Sequence, residues 1–294
     1  MRNKIQNYII ERSLFSKEDK LILGISGGAD SVCLMHLLLE LDYNFELAHC
    51  NFNLRGDESD EDEIFVRKLA KEYQLQIHVK HFDTENYANE NKVSIQMAAR
   101  DLRYSWFYDL LLSEKAKYIA VGHHANDDIE TFFINLVRGS GLKGLLGIKA
   151  KIDSIVRPLM AVSRAEIEGF LKENDIFFRK DSSNTSLKYL RNKIRHELIP
   201  LLTEMNPSIQ KTISDEIKIL EGVAEVYYQK MEEVKKEIIQ NEEAIIQLRI
   251  SDLLALKPLN TYLYELLNSY GFSTIDKIAE ALNVQSGKQF FSST

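Results

Sequence analysis

The sequence of 294 residues is poor in the residues that mark small, fibrous or membrane-embedded proteins. It has 2 cysteines, 4 prolines and 13 glycines, which excludes a disulfide scaffold and a collagen-like or low-complexity chain. No apolar run approaches the ~20 residues of a membrane-spanning helix, and the N-terminus lacks the apolar region of a signal peptide. We therefore expect a cytoplasmic protein without membrane contact, long enough for about two domains.

The two cysteines and the charge balance exclude further classes of function. Cys33 and Cys50 stand alone in apolar segments, without the spacing of a zinc site or an iron–sulfur cluster, so we expect buried thiols. The net charge of −7, of which −5 falls in residues 201–294, argues against a nucleic-acid partner in general. One short segment has the opposite charge and forms a basic patch, made of Lys188, Arg191, Lys193 and Arg195.

Short apolar runs alternate with helical patterns in the first two hundred residues. The predicted strands are residues 20–26, 45–51, 76–82, 118–122 and 155–159. The predicted helices lie near residues 30–41, 59–73, 94–113, 125–138 and 163–174. This alternation is typical of βαβ units, so we predict an α/β protein whose Rossmann-like parallel sheet has helices on both faces.

The pattern changes beyond Pro207. An acidic amphipathic helix is predicted to run to about Gln240, with shorter helices near residues 259–269 and 275–283. We therefore predict an α/β domain over residues 1–205 and a smaller all-helical domain over residues 206–294. Because the final residues form a β-like run without a helix cap or polar tail, we expect truncation before a further C-terminal domain.

The segment LILGISGGADS, residues 21–31, combines a strand, a glycine turn and a helix start. Adjacent glycines let the backbone bend sharply, and a helix N-terminus attracts anions. Neither the Walker nor the G-x-G-x-x-G pattern is present. We predict a phosphate cradle, with a plain structural turn as the alternative, formed by Ser26, Gly27, Gly28, Ala29, Asp30 and Ser31.

Candidate side chains also follow the fourth predicted strand, where the carboxyl edge of a parallel sheet binds ligands. Asp127 and Glu130 are three apart on one helix face, so both carboxylates can reach one cleft, although a solvated acidic face explains them too. His123 and His124 stand at the strand end, where packing histidines are also common.

In each of two basic pairs, the spacing of three or four residues places both members on one helix face. Arg100 and Arg103 share a helix face and can neutralise a developing charge, or else be solvated. Arg191 and Arg195 are four apart and suit phosphate contacts, whereas Lys193 points elsewhere.

The motif S-G-G-x-D-S at residues 26–31 resembles the pyrophosphate loop of the N-type ATP pyrophosphatases, the PP-loop family. Further motifs stand in order along residues 20–200, and together they resemble the tRNA(Ile)-lysidine synthetase family: HCNFNLRGDESDEDE at 49–63, GHHANDDIET at 122–131, RGSG at 138–141, RPL at 157–159, SR at 163–164, DSSN at 181–184 and YLRNKIR at 189–195. The sequence departs from the family pattern at Phe52, usually a histidine, and at Gln96, often a glutamate.

The resemblance implies an ATP-dependent ligase that converts the wobble cytidine of CAU-anticodon tRNA(Ile) to lysidine, with release of AMP and pyrophosphate. ATP and Mg²⁺ would be required, and L-lysine would be the amine. Asp30 would hold the metal ion, and the implied catalytic residues are Asp30, Arg100, Asp127 and Glu130. The implied substrate-binding residues are His123, His124, Asp127, Glu130, Arg191 and Arg195. A homodimer is a further expectation.

Two other functions use the same kind of loop. One is tRNA thiolation, which in its cluster-bearing form needs more cysteines than this sequence has. The other is a non-catalytic nucleotide-binding scaffold. The residue that deprotonates lysine stays open between the carboxylates of Asp127 and Glu130 and the imidazoles of His123 and His124.

Overall fold

The computed structural model describes residues 1–179, 190–242, 245–284 and 287–292. Within these residues the chain forms two compact units, Met1–Lys218 and Ile219–Thr294. The division falls inside one long helix, whereas the sequence analysis places a domain boundary at residues 205/206. No described helix is both long and apolar enough to cross a membrane.

The first unit contains the alternating strands and helices that the sequence predicts. Its strands are β1 (Leu21–Gly24), β2 (Phe45–Asn51), β3 (Ile77–His81), β4 (Tyr118–Ala120), β5 (Lys151–Ile152) and β6 (Ile155–Val156). Its helices are α1 (Arg2–Glu11), α2 (Ala29–Glu40), α3 (Asp57–Glu72), α4 (Thr84–Asn91), α5 (Ile95–Ser113), α6 (Ala125–Arg138), α7 (Gly141–Leu145), α8 (Arg164–Glu173), α9 (Leu190–Lys193) and α10 (Ile199–Met205). A short π-helical stretch, Ile194–Leu198, joins α9 to α10.

The six strands form one sheet in the order β3-β2-β1-β4-β6-β5. All neighbours are parallel except β5 and β6, which are antiparallel. The chain adds β2 and β3 on one side of β1 and then returns to place β4 on the other. This reversal is a topological switch point, and it opens a crevice at the carboxyl ends of β1 and β4.

Helices cover both faces of the sheet, as predicted. Leu21 and Leu23 of β1 face one core, packed with buried residues of α1, α2 and α8. Ile22 faces the other core, which contains Trp106 and Phe107 of α5. Because consecutive strand residues point to opposite faces, a continuously apolar strand must be covered on both.

Some elements of the first unit were not predicted, and one predicted strand is too long. Helix α1 was not predicted, and its Ile5 and Ile9 are fully buried against the first core. The fifth strand was predicted to extend to residue 159, but the strand ends at Val156 and a 3₁₀ turn begins at Pro158. Proline has no amide hydrogen and therefore cannot continue a strand ladder.

The second unit is helical, as predicted, and it also contains a short antiparallel pair. The long helix α11 (Ile209–Ile238) enters it, followed by β7 (Gln240–Glu242), β8 (Ile245–Gln247), α12 (Ile250–Ala255), α13 (Leu259–Leu267) and α14 (Ile275–Ala281). Its core joins Val234 and Ile238 of α11 to Leu263 and Leu266 of α13. The strand pair was not predicted, because three-residue strands leave too little periodicity to detect. The short helix α12 was not predicted either.

His36 of α2 makes the stability of the first unit dependent on pH. The ring is buried against Tyr73, its Nε2 has no hydrogen-bond partner, and burial lowers its pKa from 6.5. The unfolded chain therefore binds a proton that the folded chain does not, and stability is lost as the pH falls through about 6.5. We expect His36→Leu to flatten the pH dependence of the unfolding free energy between pH 7 and 5, by up to about 1.4 kcal/mol per pH unit. Urea titrations at several pH values measure this slope, and equal slopes for both proteins would contradict the assignment.

Candidate active site

The predicted phosphate cradle connects β1 to α2 as a tight turn. Gly27 adopts a φ of +86°, and a Cβ there would lie 3.1 Å from the ring of Phe65, so both the conformation and the space require glycine. The Ser31 hydroxyl accepts a hydrogen bond from the Ser26 amide at 3.1 Å and donates to the Gly28 carbonyl at 3.0 Å. Gly28 is the N-cap of α2, so the helix dipole points its positive end into this turn.

The switch point brings the end of β4 against this cradle. A Cβ on Gly122 would lie 3.1 Å from the backbone carbon of Asp30, so only glycine allows the two segments to approach so closely. His124 follows, and its Nε2 lies 3.8 Å from the Asp30 carboxylate and 3.6 Å from that of Asp127. The cradle and the predicted GHHANDDIET segment therefore form one site.

Asp30, the predicted metal ligand, lies in the first turn of α2 and already contacts a cation. Nη1 of Arg164 donates to both of its carboxylate oxygens, at 2.8 and 2.9 Å. Burial raises the pKa of Asp30, against the opposing effects of His124 and Arg164. The Asp30 carboxylate thus faces positive groups, Arg164 and His124, beside the cradle.

His123 and Asp127 form the polar centre of the crevice. The Asp127 carboxylate accepts a hydrogen bond from the His124 amide at 3.0 Å, which caps α6. Burial opposes ionisation of Asp127, but His124 holds its pKa below the usual value. Burial, reinforced by Arg157 and Arg191 and opposed by Asp127, lowers the pKa of His123 to about 4. At neutral pH the pair is therefore an ionised carboxylate and a neutral imidazole.

Glu130 lies one turn further along α6 and is only 1% exposed. Its carboxylate accepts from two nitrogens of Arg195, at 2.5 and 2.9 Å, and lies 3.1 Å from Nε of Arg191. Arg191 also donates to Thr131 at 3.0 Å. The arginines predicted for substrate thus share one face, as expected, but in this structure they neutralise Glu130. Their contact with substrate, and that of Glu130 with lysine, stay predictions.

The arginines of α5 stack on aromatic rings. The exposed Arg100 lies over Tyr104 at 4.9 Å, and Arg103 lies over Phe52 at 5.2 Å. Phe52, which replaces the family's usual histidine, stacks on Phe82 at 5.5 Å. An aromatic ring therefore occupies this position and supports a guanidinium, a role that a phenyl face can perform.

The acidic run at residues 57–63 is largely paired within the protein. Asp62 contacts Arg55 at 2.8 Å and also Arg179, whose backbone amide donates to the Gly27 carbonyl at 2.9 Å. Glu63 accepts from Asn51 and Arg67 at 3.1 and 2.9 Å. Asp57, Glu58 and Asp60 lie in the first turn of α3, where carboxylates stabilise the positive end of the helix dipole, so internal pairing and the dipole account for the run.

Sequence reasoning assigned no role to three arginines that the structure places at the site. Arg164 holds Asp30, Arg179 holds the cradle, and Arg157 is 4% exposed at the end of β6 beside His123. Arg157 and Arg164 belong to the RPL and SR motifs, and these motifs were the signal in the sequence that could have identified the two arginines as site residues. The DSSN motif at 181–184, together with Lys188 and Tyr189, lies outside the described residues.

Comparison with known proteins agrees with this geometry. A model of the PP-loop domain matches residues 1–202, and a model of the TilS substrate binding domain matches residues 240–294. The solved U34-tRNA thiolase of Methanococcus maripaludis has the same fold over 75% of this chain and 78% of its own, with a TM-score of 0.61 and 19% identity. The fold and the loop together define a PP-loop protein, which uses ATP as its substrate.

Curated relatives identify the particular family. The tRNA(Ile)-lysidine synthase of Bacteroides thetaiotaomicron is 42% identical, covering 99% of this chain and 68% of that protein. The synthase of Porphyromonas gingivalis is 43% identical, covering 100% of this chain and 65% of that protein. The chain belongs to the tRNA(Ile)-lysidine synthase family of tRNA-modifying enzymes, and it spans about two thirds of the length of these relatives.

Proposed function

We propose that this chain catalyses lysidine formation on the wobble cytidine of CAU-anticodon tRNA(Ile). The observation that carries the proposal is the meeting of the phosphate cradle with His123, His124 and Asp127 at the switch point. This crevice combines a place for the phosphates of ATP with a buried carboxylate for a cationic amine.

The reaction needs two displacements. The C2 oxygen of cytidine attacks the α-phosphorus of ATP, and pyrophosphate leaves. The lysine ε-amine then attacks C2, the C2–O bond breaks, and AMP leaves with the bonding electrons. Adenylation is required because the cytosine oxygen is otherwise a very poor leaving group.

The cradle and Asp30 serve the first displacement. The turn from Ser26 to Ser31 and the positive end of α2 suit the departing pyrophosphate. The Asp30 carboxylate, which already holds a guanidinium, fits the oxygen chemistry that Mg²⁺ prefers. When bound there, Mg²⁺ would neutralise phosphate oxygens, and the exposed Arg100 is proposed to approach the α-phosphate.

Asp127 and His123 serve the second displacement. The ionised Asp127 carboxylate binds the lysine ammonium, while Glu130 is already neutralised by arginines. An ε-amine with a pKa near ~10.4 is almost entirely protonated at neutral pH, so it must lose a proton to react. The neutral His123 can accept a proton from the nitrogen once it has bonded to C2, because that ammonium is far more acidic than free lysine.

Thiolation is not supported by the thiols of the chain. Cys33 is fully buried in α2, and Cys50 is partly buried in β2. Burial raises the pKa of each thiol to about 12, so neither is a ready thiolate at neutral pH.

A single incubation tests the function. The chain is mixed with Mg²⁺, ATP, labelled lysine and an unmodified CAU-anticodon tRNA(Ile) transcript, and a methionine tRNA with the same anticodon is the matched control. We expect label in the isoleucine tRNA alone, with AMP and pyrophosphate as products. Formation of ADP, or no label at saturating ATP, would refute the proposal.

From the sequence, the phosphate contacts of the basic patch were expected at Arg191 and Arg195, with Lys193 pointing elsewhere; we propose instead that Lys193 makes such a contact with tRNA. Lys193 is exposed, whereas Arg195 is paired with Glu130. We expect Lys193→Ala to flatten the salt dependence of tRNA binding by about one unit of log–log slope, since each phosphate contact contributes about 0.9. Arg195→Ala should leave the slope unchanged, because its charge is compensated inside the protein. Filter binding at several salt concentrations measures both slopes, and equal flattening by Arg195→Ala would instead place Arg195 on a phosphate.

A further inference from the structure

Arg164 lies where a cation on Asp30 would be expected. A single nitrogen, Nη1, lies 2.8 Å from one carboxylate oxygen of Asp30 and 2.9 Å from the other. Asp30 belongs to the phosphate cradle, while Arg164 begins α8, 134 positions later in the chain. The contact therefore joins the cradle to a helix that the chemistry of the cradle does not otherwise use.

The backbone of Arg164 is fixed, while its side chain is not enclosed. Its amide donates to Asn126 Oδ1 at 2.8 Å, and Ser163 caps the helix through a capping box with Glu166. The side chains of Arg164 and Asp30 are 40% and 30% exposed, and Nε of Arg164 also contacts Glu168 at 2.7 Å. An ion pair with this much exposure contributes little to stability, so it can open without loss of the fold.

Binding of a nucleotide changes the preferred partners of the Asp30 carboxylate and the Arg164 guanidinium. Phosphate oxygens entering the cradle bring negative charge close to the Asp30 carboxylate, which then needs a cation of higher charge. A guanidinium forms stronger and more directional hydrogen bonds to phosphate than an ammonium does. A divalent cation prefers carboxylate oxygen. Both preferences are satisfied if the two cations exchange partners.

We propose that Arg164 is a nucleotide-binding residue that occupies the Asp30 carboxylate until ATP and its metal ion arrive, and then moves to a phosphate oxygen. The inference rests on the proposed function only for the use of ATP. It assigns Arg164 two successive partners, and it explains why the SR motif stands so far along the chain from the cradle that it serves.

Metal binding without nucleotide tests the first partner. Mn²⁺ alone is titrated into the protein, and free Mn²⁺ is followed by electron paramagnetic resonance. We expect Arg164→Gln to bind Mn²⁺ about five- to tenfold more tightly than the unchanged protein, because the competing cation is gone. Adding Asp30→Asn to this variant should remove the gain. Lys4→Gln is the matched control, since Lys4 pairs with Glu166 on the same helix, and it should leave Mn²⁺ binding unchanged.

Nucleotide binding tests the second partner. Calorimetry with ATP and excess Mg²⁺ should show about tenfold weaker binding for Arg164→Gln, since a charge-assisted hydrogen bond to phosphate is lost. Arg164→Lys, which keeps the charge, should fall between the two proteins. Melting temperatures identify any variant that is not folded. Unchanged Mn²⁺ affinity in folded Arg164→Gln, or unchanged ATP affinity, would overturn the proposal.

These measurements use neither tRNA nor lysine, so they separate the two proposals. Tighter Mn²⁺ binding with weaker ATP binding supports the exchange even if no lysidine forms. Lysidine formation by a protein whose Arg164→Gln variant binds Mn²⁺ and ATP normally would leave the function standing and remove the exchange.

Discussion

Asp30→Ala is expected to lower the rate of pyrophosphate release by about a thousandfold, because in the proposed mechanism Asp30 positions a metal ion that supplies several kcal/mol of charge stabilisation. The fold should survive, since the partly exposed pair with Arg164 contributes at most about 1 kcal/mol. Pyrophosphate release with ATP and tRNA present measures the rate, and thermal unfolding measures the fold.

Asp215→Asn is the control for this experiment, because Asp215 lies in an exposed pair with Lys218 on α11 and is not a residue of the cradle. It should keep the unchanged rate. A folded Asp30→Ala protein with near-normal pyrophosphate release would show that Asp30 does not position the metal ion.

Glu130→Ala is expected to reduce the unfolding free energy by about 1–3 kcal/mol, because it removes a buried carboxylate that accepts charge-assisted hydrogen bonds, although its partners Arg191 and Arg195 are 40% and 34% exposed. Glu130→Gln should cost less, since its amide oxygen still accepts a hydrogen bond. Glu233→Gln, which removes one partner of an exposed pair with Lys230, should change stability by no more than about 1 kcal/mol. Urea unfolding compares the three variants.

The same Glu130 variants test the prediction from the sequence that Glu130 binds lysine. A structural role predicts loss of stability, with the KM values for ATP and lysine affected together. If Glu130→Gln is as stable as the unchanged protein and raises only the KM for lysine, Glu130 binds the amino acid and its arginines must leave it during the reaction.

The local sequence pattern was sufficient to predict most strands and helices of the first unit. Strand β2 and helix α6 have the predicted bounds, because their apolar residues follow a regular period and α6 ends at Gly139, in a left-handed conformation. The strand–turn–helix geometry of residues 21–31 was predicted as well, because adjacent glycines favour a sharp turn there, while phosphate binding by this turn stays a prediction. Helix α1 was missed because its charged residues obscure two buried isoleucines.

The partners of the catalytic candidates could not be predicted in the same way. The sequence showed that Asp127 and Glu130 share a helix face, but burial and long-range contacts separated them. Asp127 caps α6 beside the imidazoles and has Arg195 only at 3.7 Å, while Glu130 pairs closely with Arg191 and Arg195, more than sixty positions away. The position of a residue on a helix face indicates only the direction in which its side chain points. The element packed against that face determines which charged groups the side chain contacts.

The sequence by itself therefore determined the alternation of strands and helices, the glycine turn at residues 26–31 and the family, because each depends on motifs whose own residues are close in the chain. The tertiary structure decided that β4 lies beside β1, and with it that His124 and Arg164 meet Asp30. Strand order depends on how helices far apart in sequence pack on the two faces of the sheet. The periodicity of the local sequence contains no information on that packing. The charged partners of the site residues can therefore be identified only in the folded chain.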